Sequence, residues 1–177
     1  MDAIESNVQA LNFTAILIFI MGIIMVFKGI QVVPQTKVFL IERFGKYRTT
    51  LNAGLNWIIP FLDHVSNKVD ILERQLPQQS ISVITKDNVE VVLKTIVFLR
   101  VVEASKATYR IQNMSSAVEN AATSIVRSTG GELVLDDIQT SIQKINDRIK
   151  ENLSKAAEIW GVEITRTEIV DVMVDEE

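Results

Sequence analysis

The distribution of apolar and polar residues separates an N-terminal apolar segment from the rest of the chain. No charged residue lies between Glu5 and Lys28, and nearly every side chain from Phe13 to Phe27 is apolar. A helix rises about 1.5 Å per residue, so roughly 20 apolar residues are needed to cross the hydrocarbon core of a bilayer. No polar stripe of helical period interrupts the run, as it would in a core helix. The pattern predicts a transmembrane helix over about residues 8–30.

The large apolar side chains of this segment are the predicted membrane anchor. They are Phe13, Ile16, Leu17, Ile20, Ile23, Ile24 and Phe27. A cleaved signal peptide is the alternative, but such a peptide begins with basic residues and ends in small ones. This chain carries Asp2 and Glu5 near its start and continues into Lys28 after the apolar run. We therefore expect the helix to be retained.

Lysine and arginine residues flank the apolar segment on one side only. None precedes it, and the flank that follows it carries Lys28, Lys37, Arg43, Lys46 and Arg48. Positive residues are retained on the cytoplasmic side of a membrane. The short N-terminus is therefore predicted to lie outside, and the remainder of the chain to lie in the cytoplasm.

Beyond the apolar segment, the pattern changes to short runs that are typical of β-strands. The predicted strands cover residues 37–43, 47–51, 69–72, 81–85 and 89–102. Pro34 is predicted to end the first helix, Gly45 to turn a hairpin, and residues 86–88 to form a further turn. The last strand is long and rich in β-branched residues, which predicts a central strand covered on both sides.

An apolar segment interrupts the strand pattern at residues 55–62. Pro60 forbids a regular central strand here, so the segment is predicted to be a loop. Its large apolar side chains are Trp57, Ile58, Ile59, Phe61 and Leu62. Two interpretations remain open, because these side chains either fill the core of the domain or enter the membrane interface, where aromatic rings are favoured.

The second half of the chain is predicted to be mainly helical. The predicted helices cover about residues 103–111, 115–130 and 136–160, and a final strand covers 162–170. Ser115 or Ser116 is the predicted cap of the second helix, with Glu119 as the returning partner, and Gly130-Gly131 is its predicted stop. Strands first, helices next and a strand last predict an α+β fold, with helices packed on one face of a small sheet.

The third predicted helix carries a single apolar stripe. Asp136 or Asp137 is its predicted cap, and apolar residues then recur every three or four positions up to Trp160. The central members of the stripe are Ile142, Ile145, Ile149 and Leu153. We expect the stripe to be buried against the chain's own sheet. A coiled-coil seam with a neighbouring copy is the alternative, although the stripe covers only about three heptads.

Composition excludes several kinds of function. The net charge is -4, and the lack of a dense basic face argues against a nucleic-acid partner. The absence of cysteine excludes disulfides and thiolate metal sites. His64 is the only histidine, so neither a metal site nor a serine–histidine pair finds the residues it needs. The chain also has no phosphate-binding or hydrolase motif, and we expect no catalytic residue, metal or cofactor.

Several short motifs occur in a characteristic order after the apolar segment. They are VPQ at 33–35, ERFGKY at 42–47, LNWIIPF at 55–61, ITKDNV at 84–89, YRI at 109–111 and WGVEITRTEI at 160–169. With these motifs the chain resembles the SPFH superfamily of stomatins, prohibitins and flotillins, and most closely its stomatin-like branch with bacterial paraslipin-type proteins. The resemblance implies an N-terminal segment at 1–33 and an SPFH, or band 7, domain at 34–177, with SPFH1-like and SPFH2-like parts at 34–103 and 104–174.

The resemblance also implies a function. Such a protein is a non-enzymatic membrane scaffold that assembles with copies of itself into large rings or cages in its full-length form and organises a membrane microdomain. The implied partners are membrane lipids and a membrane protease or an NfeD-type protein, and the implied location is a bacterial inner membrane. In family terms, the loop from Trp57 to Phe61 resembles a second membrane-touching element.

The chain departs from the family pattern in two places. An Arg-Asp pair often follows the segment at 131–133, but residues 141–144 read Ser-Ile-Gln-Lys instead. The final strand usually runs into a proline pair and a long Ala/Glu-rich helix, whereas residues 172–177 lack the prolines and the chain stops. We therefore expect the assembly helix to be missing from this chain.

Two rival functions belong to other classes. A membrane-tethered protease would need a serine or threonine nucleophile paired with His64, the only histidine. A small monomeric module that binds a lipid or another ligand would need a pocket lined by valine and isoleucine.

Overall fold

The computed structural model describes residues 2–174, with side chains from residue 12 onwards. The chain forms two compact units, Met1–Lys68 and Val69–Glu177. This division reflects spatial compactness alone, so the family-based boundaries at residues 33/34 and 103/104 remain predictions.

The first unit combines a long helix with two small antiparallel sheets. Its elements are α1 (Asp2–Gly29), β1 (Ile30–Val33), β2 (Lys37–Arg43), β3 (Lys46–Leu51), β4 (Gly54–Trp57) and nearly all of β5 (Asp63–Asp70). β1 pairs with β4, and β2 lies between β3 and β5 in a three-stranded sheet. The segment Asn12–Gly29 of α1 is long and apolar enough to cross a membrane, with a mean hydropathy of 2.0. The predicted anchor helix is therefore present, and the predicted hairpin between β2 and β3 is confirmed.

Three expectations for the first unit are wrong in detail. The helix ends at Gly29, before Pro34, because residues 30–33 pair with β4 and extend as a strand. Residues 55–57 belong to β4, since Pro60 lies beyond the end of that strand and does not disturb it. The strand expected at 69–72 ends at Asp70 and begins earlier, at Asp63.

The core of the first unit is small. It consists of Val33, Phe39, Ile41, Leu51 and Ile58, with Val65 packed against it. Leu40 is also fully buried, so both faces of β2 are covered over part of its length. Burial on both faces explains why this strand reads as a continuous apolar run.

The second unit is a sheet with helices on one face, which confirms the predicted α+β class. Its elements are β6 (Arg74–Gln75), β7 (Gln79–Ile84), β8 (Glu90–Val101), α2 (Ala104–Tyr109), α3 (Met114–Gly131), α4 (Leu135–Thr140), α5 (Ile142–Glu158) and β9 (Val162–Val174). β8 is central and pairs antiparallel with β6, β7 and β9. α3 packs on β7, α5 packs on β9, and the two helices contact each other.

The central strand is covered on one face only, which corrects the expectation of cover on both sides. Inward residues such as Leu93 and Leu99 are buried, whereas the alternate residues are half-buried or exposed. The more open face carries a partly exposed cross-strand ion pair between Lys94 and Asp171 at 2.9 Å.

Most of the helix ends differ from those predicted. Asn113 caps α3, because its side-chain oxygen accepts a hydrogen bond from the N–H of Ser116 at 3.1 Å. α3 ends at Gly131, as predicted, with both glycines inside its last turn. The third predicted helix is broken at Ser141 into α4 and α5, and neither predicted aspartate caps it.

The apolar stripe of α5 lies inside the second unit. Ile145, Ile149 and Leu153 are buried among the side chains of the sheet and of α3, and Ile142 is partly buried beside them. Asn146, on the same face, accepts a hydrogen bond from the N–H of Ile169 at 3.0 Å. Ile169 borders an irregularity in the pairing of β9 with β8. α5 therefore holds β9 both by apolar packing and by this hydrogen bond.

Candidate membrane interface

The C-terminal end of α1 is joined to the loop that follows β4. The N–H of Ile58 donates a hydrogen bond to the carbonyl oxygen of Gly29 at 2.8 Å. A Cβ atom at Gly29 would overlap the indole of Trp57 and lie 2.8 Å from the carbonyl oxygen of Ile58. Glycine at this position therefore lets the loop approach the end of the helix closely.

The strands β1 and β4 form a ribbon with one apolar, exposed face. Ile30 lies opposite Trp57, and Val32 lies opposite Leu55. Residues that lie directly opposite each other in an antiparallel pair are on the same face of the sheet. Their exposed fractions are 40% for Ile30, 68% for Trp57, 70% for Val32 and 77% for Leu55. This set of four residues, called the ribbon face below, begins at the residue after α1.

The loop after β4 places most of the predicted interface residues at the surface. Phe61 is 78% exposed and has a positive φ of 72°, and Ile59 and Leu62 are also exposed. Ile58 is the exception, because it is only 8% exposed and belongs to the core of the first unit. Of the two interpretations of this segment, core filling applies to Ile58 and surface exposure to the others.

The predicted anchor side chains lie on the surface of α1. All of Phe13, Ile16, Leu17, Ile20, Ile23, Ile24 and Phe27 are exposed. The apolar segment of 18 residues corresponds to about 27 Å of helix, close to the hydrocarbon thickness of roughly 30 Å. If the segment spans a bilayer, Gly29 lies at the boundary between hydrocarbon and headgroups, and the ribbon face follows directly.

Asp63 joins the loop to the β2–β3 hairpin. Its carboxylate accepts hydrogen bonds from Nε and Nη2 of Arg43, at 2.7 and 3.0 Å, and from the N–H of Ile59 at 2.9 Å. Arg48 lies 3.5 Å from the same carboxylate. Burial alone would raise the pKa of Asp63, but the hydrogen bond from Ile59 and the charge and hydrogen bonds of Arg43 outweigh it and lower the pKa. The loop is therefore held by an ionised carboxylate.

His64 lies beside this cluster. It is exposed, next to Asp63 in β5, and borders a recess of about 480 Å³ together with Lys28 and Phe61. The recess is open and lies against the last turn of α1. Among the described residues, no group of three or more acidic, histidine or cysteine side chains is placed to hold a metal ion.

A larger recess, of about 780 Å³, lies in the second unit between α2, α5 and the start of β9. Its floor includes the buried side chains of Val162 and Ile164. Two ion pairs lie on its rim, between Lys155 and Glu151 at 2.8 Å and between Lys106 and Glu103. A rim of paired charges is typical of a surface that stays in contact with water. The exposed apolar surface of the first unit is therefore the stronger candidate for a membrane interface.

Sequence reasoning missed Ile30, Val32 and Leu55 as parts of this surface. The sequence pattern predicts Ile30 in the helix and Leu55 in the loop, although both short segments place apolar residues at alternate positions. Alternation over only four residues is a weak local signal. The two segments, β1 and β4, form hydrogen bonds with each other although more than twenty residues separate them in the sequence.

Comparison with known proteins shows to which sequences the chain is similar. Residues 31–177 match the SPFH domain / Band 7 family. An uncharacterised protein of Mycobacterium tuberculosis is 33% identical over 165 residues, which cover 93% of this chain and 43% of that protein. Mitochondrial stomatin-like protein 2 of Rattus norvegicus is 32% identical over 142 residues, 80% of this chain and 40% of that protein. The chain thus spans less than half the length of these relatives.

Proposed function

The chain belongs to the SPFH domain / Band 7 family, and from this membership we propose that it is a membrane-anchored scaffold without enzymatic activity. In this proposal it associates with copies of itself through its SPFH domain into large oligomers. These oligomers organise a membrane microdomain and partner membrane proteins, such as a protease or an NfeD-type protein. The observation that carries the membrane part of the proposal is the ribbon face, which continues the apolar surface of α1.

The dimensions of the ribbon fit the headgroup layer. A strand advances about 3.3 Å per residue, so Val32 lies about 7 Å beyond Ile30 along β1. The bilayer is about 30 Å thick in its hydrocarbon core and 40–45 Å with headgroups, which leaves roughly 5–8 Å of headgroup on each side. The ribbon face therefore lies within the interfacial layer when α1 spans the bilayer. Burial of these side chains there removes apolar surface from water and stabilises the contact.

Orientation follows from the charged flanks. In this proposal the N-terminus lies outside a bacterial inner membrane and the SPFH domain lies in the cytoplasm, because the basic residues follow α1 and none precedes it. Lys28, in the last turn of α1, would then extend its ammonium group towards the cytoplasmic headgroups.

The membrane contact is tested by fluorescence in reconstituted vesicles. The chain has two tryptophans, so Trp160→Phe leaves Trp57 as the single reporter. We expect brominated phospholipids to quench Trp57 strongly and aqueous acrylamide to quench it weakly. Strong quenching by acrylamide with none by the brominated lipids would refute membrane contact by the ribbon face.

Self-association is tested by the mass of the full chain in detergent and in nanodiscs, measured by light scattering over a range of protein concentrations. The proposal predicts a uniform species many times heavier than the 19.9 kDa protomer. A monomer at every concentration would refute assembly by this chain. It would favour the rival function, a small monomeric module that binds a lipid or another ligand.

A further inference from the structure

The β2–β3 hairpin presents an exposed phenylalanine in an unfavourable backbone conformation. Arg43 pairs with Lys46 across a turn of two residues, Phe44 and Gly45. Phe44 has φ of 51° and Gly45 has φ of 75°. Positive φ at both central residues is typical of a type I′ turn, in which the sequence Asn-Gly is favoured. Positive φ is rare for a bulky side chain, and the ring gains no burial in return, because Phe44 is 82% exposed.

The tip of this hairpin lies at the same end of the first unit as the loop beside α1. Arg43, next to Phe44, binds the carboxylate of Asp63 through two hydrogen bonds. The same carboxylate accepts the N–H of Ile59, and Ile58 is bonded to the end of α1. A continuous series of short polar contacts therefore joins the hairpin tip to the end of the helix.

Phe44 and Phe61 share an unusual combination of properties. Both side chains are among the most exposed large apolar groups of the described chain, and both have positive φ. Exposed Lys46 follows the turn. Arg48 lies at an irregularity of the β2–β3 pairing, and its guanidinium is 3.5 Å from the carboxylate of Asp63. Aromatic groups beside basic ones are typical of protein surfaces that lie in the headgroup layer of an anionic membrane.

We propose that Phe44 is a second point of insertion into the membrane interface, separate in sequence from the ribbon face and its loop. The partner is the anionic lipid surface on the side to which α1 delivers the domain. Lys46 would contact lipid phosphates while the ring enters the headgroup layer. This inference rests on the proposed membrane contact. Together with α1, two separated insertions restrict rotation of the first unit about the helix axis.

The experiment uses the full chain in vesicles of brominated phosphatidylglycerol and phosphatidylcholine. Phe44→Trp is made in a Trp57→Phe, Trp160→Phe background, so that the reporter is unique. The matched control is Gln35→Trp in the same background, because residue 35 is exposed in the turn before β2, at the opposite end of that strand from the hairpin tip. We expect the reporter at position 44 to be quenched severalfold more than the reporter at position 35, and about as much as native Trp57.

The outcomes separate this inference from the proposed function. Quenching of native Trp57 without quenching at position 44 overturns the insertion of Phe44 and leaves the ribbon contact in place. Absence of quenching at both positions overturns both proposals. Protection from acrylamide without quenching by lipid at position 44 would mean that a second protein chain covers the hairpin tip, which also overturns the insertion.

Discussion

At the scale of single residues, Asp63 has the clearest structural role in the candidate interface. Its carboxylate is shared between the guanidinium of Arg43 and the N–H of Ile59, and its side chain is 5% exposed. A buried charge that satisfies two segments is costly to remove, because each segment then retains donors without an acceptor. The loop and the hairpin therefore depend on one side chain.

Asp63→Asn should destabilise the first unit. The substitution removes the charge and replaces one acceptor oxygen by an amide that faces donors, so we expect a loss of about 1–3 kcal/mol in the free energy of unfolding. Thermal unfolding followed by circular dichroism measures it. The control is Asp171→Asn, which breaks the more exposed pair with Lys94 and should destabilise much less, because solvent screens an exposed ion pair. Equal effects of the two substitutions would contradict the role given to Asp63.

The pH dependence of stability should differ between the native chain and Asp63→Asn. The pKa of Asp63 is lowered from its ordinary value of 3.8, so the folded state binds a proton less readily than the unfolded state. The stabilisation is fully present above pH 3.8 and is lost as the pH falls through the lower folded pKa. The difference in Tm between the two proteins should therefore be constant near neutrality and shrink in acid. A difference that grows in acid would contradict this assignment.

At the scale of elements, two glycines and one hairpin show how packing overrides local preference. Gly130 and Gly131 are adjacent in the last turn of α3, yet their surroundings differ. A Cβ at Gly130 would lie 2.8 Å from Cγ1 of Val83, whereas one at Gly131 would lie 3.5 Å from the carbonyl oxygen of Ile84. Close contact of α3 with β7 therefore requires glycine at the first position only.

Gly130→Ala and Gly131→Ala should have opposite effects. The first forces the added methyl group into a stiff, buried valine and should cost about 1–3 kcal/mol. The second adds helix propensity without a clash and should be neutral or stabilise by up to about 1 kcal/mol. Chemical denaturation of the two variants side by side measures the difference, and the pair would fail as a prediction if Gly131→Ala were the more damaging.

Phe44→Asn should stabilise the β2–β3 hairpin. Asparagine tolerates the left-handed conformation at this position, so relief of strain should contribute about 1 kcal/mol. For a chain of this size, that corresponds to a rise in Tm of about 2–4 °C. Gly45→Ala is the opposite control, because it introduces a side chain at φ of 75° and should lower Tm. A fall in Tm for Phe44→Asn would mean that the phenyl ring itself stabilises the fold.

At the scale of the whole molecule, the chain combines an SPFH domain with an N-terminal helix whose segment Asn12–Gly29 is long and apolar enough to span a membrane. The surface that continues from α1 consists of apolar strand residues and an aromatic loop, with the Asp63 cluster beneath it. In the proposed function, this surface holds the first unit against the bilayer.

Cysteine labelling should reveal the orientation of the chain. Because the sequence contains no cysteine, Ser6→Cys and Asn52→Cys each introduce a unique site, on either side of the apolar segment Asn12–Gly29. In intact cells we expect a membrane-impermeant maleimide to label Ser6→Cys and to label Asn52→Cys only after permeabilisation. The reverse pattern would place the SPFH domain outside and contradict the orientation proposed from the basic residues.

Features that depend on neighbouring residues were accessible from the sequence. The apolar run determined α1, the turn residues determined the β2–β3 hairpin, and the amphipathic period determined the helical character of the segment that contains α5. Periodicity and turn chemistry act over a few residues, so a single sequence displays them. The motifs likewise indicated the family, and the order of strands and helices indicated the α+β class.

Features that depend on distant partners were decided only by the tertiary structure. β1 and β4 become a ribbon because two short segments pair across the chain, and only that pairing brings Val32 and Leu55 onto one face. Ile58 is buried while its neighbour Ile59 is exposed, a difference that their similar side chains do not encode. Strand pairing and side-chain exposure depend on which surfaces meet in the folded chain. The candidate interface was therefore visible only in the structure, whereas the apolar helix was visible in the sequence.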